Sequence, residues 1–323
     1  MKVIALEEHY MDPEVARHFA EGGPEAKMPA LRDRLLDVGE LRIREMDEAK
    51  IDLQILSHTA PATQRLDPDK APAIARSAND RLAETVKASK GRFLGFASLP
   101  TANPKAAADE LERAVTKLGF KGAMVHGLTS VGNERLFLDD KRFWPIFERA
   151  QALDVPLYMH PAIPHPAVVE AYYKDYVKDF PSILTAGWGF TVETATQGLR
   201  LVLSGVFEKY PDLKIILGHL GEGLPFLLWR IDMTFGRQGN RTTPFRETFR
   251  RNFWITTSGN FSTPALLCSV MEMGVDRILF SVDYPYVANP PGMRWMEDVP
   301  LSTEDREKIL SGNAKKLLKI GGM

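Results

Sequence analysis

Two carboxylates and two imidazoles in this chain are of the residue types that bind a metal ion. Glu7 and His9 stand two residues apart in an apolar run, so a strand would turn both side chains to one face. His160 and Asp283 each lie at the end of another apolar run. A buried carboxylate is costly unless it meets a cation or fixed donors. This nitrogen and oxygen set suits one Zn²⁺ or Mn²⁺, and a salt-bridged structural cluster is the alternative.

A glycine-rich segment at residues 217–223 (LGHLGEG) contains a second group of candidates. Its glycines allow the backbone to approach a ligand closely. We predict that His219 is a catalytic residue that polarises or deprotonates a group of the substrate. We predict that Glu222 supports catalysis by holding one tautomer of that imidazole. The alternatives are a packing role for His219 at a helix start and a simple first-turn position for Glu222.

Four other side chains are candidates for substrate binding. Arg230 could reach an anionic substrate, or it could form a structural salt bridge with a carboxylate such as Asp232. His58 and His126 each end an apolar run, where a hydrogen-bonded core histidine is the simpler interpretation. Trp188 could line an aromatic pocket, or it could serve as ordinary core packing.

The elements that must position these residues alternate regularly along the chain. Eight short apolar runs are predicted as strands, at residues 3–9, 52–58, 93–99, 120–127, 156–162, 214–221, 253–259 and 277–285. Helical periodicity occupies residues 41–50, 71–89, 105–118, 142–153, 193–210, 222–235, 264–273 and 303–318. Parallel strands need long crossover connections, which these helices supply. The pattern predicts an α/β fold, a (β/α)₈ TIM barrel that spans residues 1–323 as a single domain.

The rival architecture is an open, doubly wound sheet. That fold usually has a glycine-rich turn after its first strand, whereas residues 7–10 (EEHY) cannot cradle a phosphate. The sequence has no nucleotide-binding glycine pattern, so we expect no cofactor besides the metal. The barrel is therefore the favoured architecture.

Active sites of such barrels lie at the carboxyl ends of the strands. The candidates that end predicted strands are His9, His58, His126, His160, His219 and Asp283. Because the last strand of a barrel adjoins the first, the four candidate metal ligands should converge. By alternation, Glu8 should point outward to the helices or a subunit surface. Long insertions at residues 10–40, 163–191, 237–250 and 286–299 follow strands on the same face and could form a lid.

The composition limits the kinds of binding partner and the cellular compartment that we expect. The chain has 323 residues, with 41 Lys+Arg against 42 Asp+Glu, which gives a net charge of −1. Binding to phosphates needs a basic face, so we expect no nucleic acid partner. No run approaches the ~18 apolar residues of a membrane span, and the N-terminus has a strand pattern rather than a signal peptide. We expect a cytoplasmic protein without membrane contact, and the single Cys268 excludes an internal disulfide and a thiolate metal cluster.

Several segments together resemble the decarboxylases of the amidohydrolase superfamily. These are residues 5–9 (ALEEH), 157–161 (LYMHP), 217–225 (LGHLGEGLP), 256–260 (TTSGN) and 280–285 (FSVDYP). The likeness runs nearly end to end, and it includes residues 76–80 (RSAND) and 312–314 (GNA). The chain is most similar to the group that contains γ-resorcylate (2,6-dihydroxybenzoate), 2,3-dihydroxybenzoate and 5-carboxyvanillate decarboxylases.

The resemblance implies a site and a reaction. Glu7, His9, His160 and Asp283 match the ligands of a single Mn²⁺ or Zn²⁺. The fourth predicted strand has no lysine near its carboxyl end for a bridging carbamate, which supports one metal. The implied reaction is non-oxidative decarboxylation of an ortho-hydroxybenzoate that chelates the metal through its carboxylate and phenolate oxygens. Asp283 would protonate the ring carbon that bears the carboxylate, with assistance from His219.

Other functions stay open at this point. The same ligands could serve a hydrolase or hydratase of a lactone, an amide or a related small carboxylate, with Asp283 as general base. A metal-stabilised binding or structural protein without turnover is a third interpretation. The sequence also departs from the resorcylate enzymes, since His126-Gly127 replaces a common Asn-Gly and the 163–186 loop differs in character. The resemblance further implies a homodimer or homotetramer that acts on a small aromatic carboxylate.

Overall fold

A computed structural model describes residues 2–19, 28–236 and 244–321 of this chain. Its strands are β1 Ile4–Tyr10, β2 Leu53–His58, β3 Phe93–Gly95, β4 Ala97–Ser98, β5 Ala123–His126, β6 Thr129–Val131, β7 Glu134–Leu136, β8 Leu157–His160, β9 Ile215–Leu217, β10 Phe253–Thr256 and β11 Ile278–Leu279. All neighbours pair in parallel except β6 and β7, which form an antiparallel hairpin.

Two parallel sheets together form a closed barrel. Their strand orders are β1-β2-β3 and β11-β10-β9-β8-β5-β4. Strands β3 and β4 form a single stave that is interrupted at Phe96, whose backbone N–H still donates to the Leu56 carbonyl at 2.9 Å. The last junction is made where the His9 N–H donates to the Tyr284 carbonyl at 2.6 Å. The eight staves confirm the predicted (β/α)₈ barrel.

The strands place alternate side chains on the two faces of the barrel wall. Ile4 and Leu6 of β1 belong to a cluster that fills the barrel interior, whereas Val3 and Ala5 pack with the helices outside. All four side chains are buried. Burial on both faces explains why the strands read as continuous apolar runs instead of alternating ones.

Helices surround the barrel. The α-helices cover Pro13–Ala16, Pro29–Leu36, Glu40–Glu48, Ala71–Ala88, Pro104–Leu118, Trp144–Ala152, Pro166–Val168, Lys174–Val177, Gly189–Leu203, Val206–Lys209, Leu224–Gly236, Phe245–Asn252, Thr263–Met273, Asn289–Asp298, Thr303–Glu307 and Asn313–Leu317. Short 3₁₀ turns cover Lys141–Phe143, Pro181–Leu184 and Val275–Arg277, and π-helical turns cover Val169–Tyr173 and Lys308–Gly312. Within the described residues, no helix is both long and apolar enough to cross a membrane.

Some predicted boundaries are wrong. The single helix predicted at 193–210 is two helices, because Gly205 adopts a left-handed φ of 85° between them. The predicted insertions contain helices such as Asn289–Asp298, since Pro and Gly near their starts concealed the helical pattern. Parts of two insertions, residues 20–27 and 237–243, lie outside the described residues.

Candidate metal centre and active site

The four predicted metal ligands come together at the carboxyl ends of the strands. Glu7 and His9 project from β1, His160 ends β8, and Asp283 lies in the turn that follows β11. One ligand atom from each residue can be chosen so that all four atoms lie within 4.8 Å of one another. The β1–β2 register shifts between Ala5 and Glu8, which lets Glu7 and His9 share the interior face with Ile4 and Leu6. The adjacency of β1 to the last strand then brings this pair to Asp283.

Two buried atoms of the cluster, one on Glu7 and one on His9, face other ligands without forming a hydrogen bond to any residue that the structure describes. His160 Nε2 lies 3.3 Å from Glu7 Oε1, and His9 Nε2 lies 3.2 Å from an oxygen of Asp283. Among the described residues, neither Glu7 Oε1 nor His9 Nε2 has a hydrogen-bond partner. Buried polar atoms are rarely left unsatisfied, so two that face one point fit a bound cation.

The protonation states in the cluster also fit a metal ion. The Nδ1–H of His160 donates to the Pro161 carbonyl at 2.7 Å, which leaves the Nε2 lone pair toward the cluster. Burial lowers the pKa of His160 to about 4, so this ring is neutral. Burial alone would lower the pKa of His9 as well, but the carboxylates of Asp283 and Glu7 raise it to about 9. The site therefore attracts a positive charge at His9, either a proton or a metal ion.

Three side chains that sequence analysis did not single out hold Glu7 in place. Tyr158 and Ser258 both donate hydrogen bonds to Glu7 Oε2, so its Oε1 is the atom that faces the cluster. Thr256 contacts both hydroxyls. Tyr158 lies two residues before His160 on the same strand face, and this period of two is the signal that could have identified it.

The segment that carries His219 forms a left-handed turn. The φ values from His219 to Gly223 are 49°, 56°, 77°, 55° and 77°, and the helix begins only at Leu224. This turn brings His219 Nδ1 within 2.7 Å of Glu222 Oε1, so the ring donates to a buried carboxylate. His219 Nε2 then lies 3.9 Å from an oxygen of Asp283. The helix start predicted at residue 222 is therefore wrong.

Charge raises the basicity of His219. Burial on its own would lower the pKa of this imidazole, but the carboxylates of Glu222 and Glu7 raise it well above its ordinary value. A protonated His219 would place a proton donor beside Asp283. The hydrogen bond to Glu222 fixes the proton on Nδ1, so Nε2 is the atom that can exchange a proton with Asp283.

The two other histidines at strand ends differ in whether a ring nitrogen is available to a ligand. The His126 ring lies edge-on to His160 with centroids 4.8 Å apart, and its Nδ1 has no partner among the described residues. His58 is different, because its Nε2 accepts from the Asp12 N–H and its Nδ1–H donates to the Thr59 carbonyl. Neither nitrogen of His58 is free for a ligand. The substrate contact predicted for His58 therefore has no polar atom to support it.

Three further side chains lie outside the ligand cluster. The Tyr286 ring is edge-on to His9 with centroids 5.6 Å apart, and its hydroxyl contacts Thr59 Oγ1 at 2.5 Å. Trp188 caps the Gly189–Leu203 helix and is exposed. Arg230 is exposed on the Leu224–Gly236 helix, beside the exposed Trp229. Of these three side chains, Tyr286 is the one that borders a metal ligand.

Comparisons with known proteins agree with this geometry. A family model described as "Amidohydrolase" matches residues 17–320. The γ-resorcylate decarboxylase of a Polaromonas species is 45% identical over 98% of both chains. A Polaromonas dihydroxybenzoic acid decarboxylase structure with bound manganese and 2-nitroresorcinol has a TM-score of 0.92 at 43% identity, covering 100% of this chain and 98% of that one.

More distant structures share the fold as well. A 5-carboxyvanillate decarboxylase of Novosphingobium aromaticivorans, solved with manganese, has a TM-score of 0.90 at 31% identity. The match covers 99% of this chain and 96% of that one. The family model covers most of the chain, and the relatives match it nearly end to end. This chain therefore belongs to the amidohydrolase family.

Proposed function

We propose that this protein is a metal-dependent, non-oxidative decarboxylase of ortho-hydroxybenzoates. The observation that carries the proposal is the position of Asp283 between two histidines. One carboxylate oxygen lies 3.2 Å from His9 Nε2, and the other lies 3.9 Å from His219 Nε2. Asp283 can therefore face both the metal ligands and a proton source. The nearby relatives are named decarboxylases, which favours this reaction over hydrolysis.

The fit of the cluster to a divalent cation supports the metal dependence. Glu7, His9, His160 and Asp283 would hold the ion, which would polarise and orient the carboxylate and phenolate oxygens of the substrate. Manganese is bound in related decarboxylase structures, so we propose Mn²⁺ in preference to Zn²⁺. Tyr158 and Ser258 keep Glu7 oriented, and the Pro161 carbonyl keeps His160 in the tautomer that leaves Nε2 available.

The proton transfer follows from the chain's own residues. Asp283 gives a proton to the ring carbon that bears the carboxylate, which interrupts aromaticity. The bond between that carbon and the carboxylate then breaks, its electron pair returns to the ring, and carbon dioxide leaves. His219 supplies the next proton to Asp283 across their 3.9 Å separation, and Glu222 holds His219 in the tautomer that does so.

Side chains next to the metal ligands are candidates for the rest of the substrate site. Tyr286 borders His9, and His126 has an unpartnered Nδ1 beside His160 among the described residues. We propose that both contact the aromatic ring or its substituents. The substrate contacts predicted for Arg230 and Trp188 remain proposals, since both side chains are exposed in the single chain.

The experiment compares hydroxybenzoates that differ in the number or position of their hydroxyl groups. The Mn²⁺-loaded protein is incubated with 2,6-dihydroxybenzoate, salicylate and 4-hydroxybenzoate, and released carbon dioxide is measured. We expect release from an acid with an ortho-hydroxyl and none from 4-hydroxybenzoate, which cannot chelate through an adjacent phenolate. Hydrolysis of a lactone panel without carbon dioxide release from any acid would contradict the proposal.

The proposal also covers the domain organisation, the oligomeric state and the cellular compartment. We propose that the whole chain is one domain, that it forms a homodimer or homotetramer, and that it acts in the cytoplasm. The exposed Phe226 and Trp229, on one helix, support association with a second copy. Light scattering tests the oligomeric state, and cell fractionation tests the compartment.

A further inference from the structure

Glu8 lies between two metal ligands of β1, yet it faces the opposite side of the strand. The alternation predicted that it would point outward to the helices or a subunit surface. On that face its side chain is completely buried against the segment 281–284 that follows β11, in a network that includes Arg42 of the Glu40–Glu48 helix. Burial of a carboxylate is costly, so its contacts there need an explanation.

The two oxygens of Glu8 bridge the peptide groups on either side of Asp283. Oε1 accepts from the Val282 N–H at 2.9 Å, and Oε2 accepts from the Tyr284 N–H at 3.2 Å. Asp283 itself has a φ of 73°, in the left-handed region that a non-glycine residue occupies only under strain. One carboxylate therefore stabilises both ends of a strained residue.

A buried network holds Glu8 in turn. Gln54 donates to Glu8 Oε2 at 3.5 Å and accepts from Arg42 at 3.3 Å. The completely buried Arg42 also donates to the His9 carbonyl at 2.5 Å, and its guanidinium stacks 4.6 Å from the centre of the Tyr284 ring. These contacts connect the backbone that carries His9 to the turn that carries Asp283.

We propose that Glu8 is a positioning residue that fixes Asp283 against His9 at the metal centre. The inference rests on the metal site of the proposed function, but not on its reaction or substrate. A carboxyl group suits this task because each of its two oxygens can accept from one of the two N–H groups at once. An amide in the same place must turn its NH₂ toward one of them and lose that bond.

The test measures Mn²⁺ binding by the metal-free protein, using the electron paramagnetic resonance signal of free Mn²⁺. We expect Glu8→Gln to weaken Mn²⁺ binding by about 10–100-fold, the usual effect of losing a group that orients a ligand. Glu110→Gln is the matched control, because Glu110 is a buried carboxylate that accepts from Asn79 and Arg113 away from the site. Its Mn²⁺ affinity should equal that of the wild type.

The same substitution is then made in an Asp283→Ala background, which lacks the ligand that Glu8 is proposed to fix. If Glu8 acts through Asp283, adding Glu8→Gln there should change Mn²⁺ affinity by less than about twofold, because contacting residues in one network are not additive. An equal loss in both backgrounds, or no loss in the wild-type background, overturns the proposal. Neither result depends on decarboxylation, so an enzyme of different activity would leave this inference intact.

A second variant guards against misfolding. Glu8→Asp keeps the two carboxyl oxygens, but its side chain is one methylene shorter and cannot reach both N–H groups. We expect it to weaken Mn²⁺ binding as Glu8→Gln does, with cooperative thermal unfolding retained. If neither variant folds, Glu8 is a folding residue and not a positioning one, which also overturns the proposal.

Discussion

Asp283 is the most exposed of the four candidate metal ligands. Its side chain is 17% exposed, whereas those of Glu7 and His9 are 0% and that of His160 is 8%. The other three ligands are enclosed by the barrel wall and are suited only to holding an ion. Asp283 is partly exposed and lies 3.9 Å from His219 Nε2, so of the four ligands it is the one placed for proton transfer.

Asp283→Asn tests that role. The amide keeps the shape of the side chain and one oxygen for the metal, but it cannot deliver the proton. We expect kcat for the hydroxybenzoate to fall by about 10³-fold or more, within the range that general acids contribute together with lost ligand charge. Mn²⁺ analysis of the purified variant should still find some bound metal. Substantial residual turnover would count against Asp283 as the proton donor.

Glu222→Gln tests the support of His219. The substitution removes the charge that raises the pKa of His219, so that pKa should fall. The limb of the kcat against pH profile that His219 governs should move to lower pH, and kcat should drop about 10–100-fold. Glu307→Gln, at the end of a helix far along the sequence, serves as a control for loss of one charge. An unchanged profile in Glu222→Gln would remove Glu222 from the mechanism.

At the scale of elements, the turn after β9 does more than connect a strand to a helix. Five consecutive left-handed residues, three of them not glycine, put His219 and Glu222 on one side of the turn. Each of the three non-glycine residues costs about 1–2 kcal/mol in this conformation, so the rest of the fold must hold the turn. The Leu220 N–H donates to the Thr256 carbonyl of β10 at 2.7 Å, which supplies part of that support.

Gly218→Ala tests how closely this element packs on the metal centre. A Cβ at residue 218 would lie 2.8 Å from Glu7 Oε2 and 3.2 Å from the Tyr158 hydroxyl. Its φ is not in the left-handed region, so the substitution acts through this contact alone. We expect Mn²⁺ affinity to fall by about tenfold or more, as for other groups that orient a ligand.

The matched control for that substitution is Gly119→Ala. Gly119 ends the Pro104–Leu118 helix with a φ of 75°, and nothing lies within 4 Å of an added Cβ. We expect it to lower the free energy of unfolding by about 1 kcal/mol and to leave Mn²⁺ affinity unchanged. Normal Mn²⁺ binding by Gly218→Ala would show that the Glu7 position tolerates movement.

At the scale of the whole molecule, one carboxyl group buried outside the metal centre makes the free energy of unfolding depend on pH. Glu193, on the Gly189–Leu203 helix, is buried, and one of its oxygens has no partner among the described residues. Burial raises the pKa of this carboxyl from 4.5 to about 7. The folded protein therefore binds this proton more tightly than the unfolded chain does.

The consequence is a pH dependence of folding that Glu193→Gln should remove. The contribution of Glu193 is greatest below about pH 4.5, declines as pH rises, and is lost above about pH 7. We expect the Tm of Glu193→Gln, relative to that of the wild type, to rise by a few degrees from pH 5 to pH 8. Thermal unfolding of the metal-free proteins at both pH values measures this, with Glu110→Gln as control. A Tm difference that stays constant would contradict the prediction.

The sequence by itself predicted the ligand set and the barrel, because both depend on local patterns. Glu7 and His9 share a face through the period of two along one strand, and apolar runs end at His160 and Asp283. A parallel barrel then forces all carboxyl ends to one side. These rules need no knowledge of which side chains meet across the fold.

Only the tertiary structure decided what the neighbouring residues do. Glu8 receives hydrogen bonds from a turn 274 residues away, and His58 accepts from an N–H 46 residues away. Such bonds bury Glu8 against the turn that carries Asp283 and leave His58 without a free nitrogen. Hydrogen-bond partners that are distant along the chain leave no periodicity in either segment, so their pairing emerges only when the barrel closes.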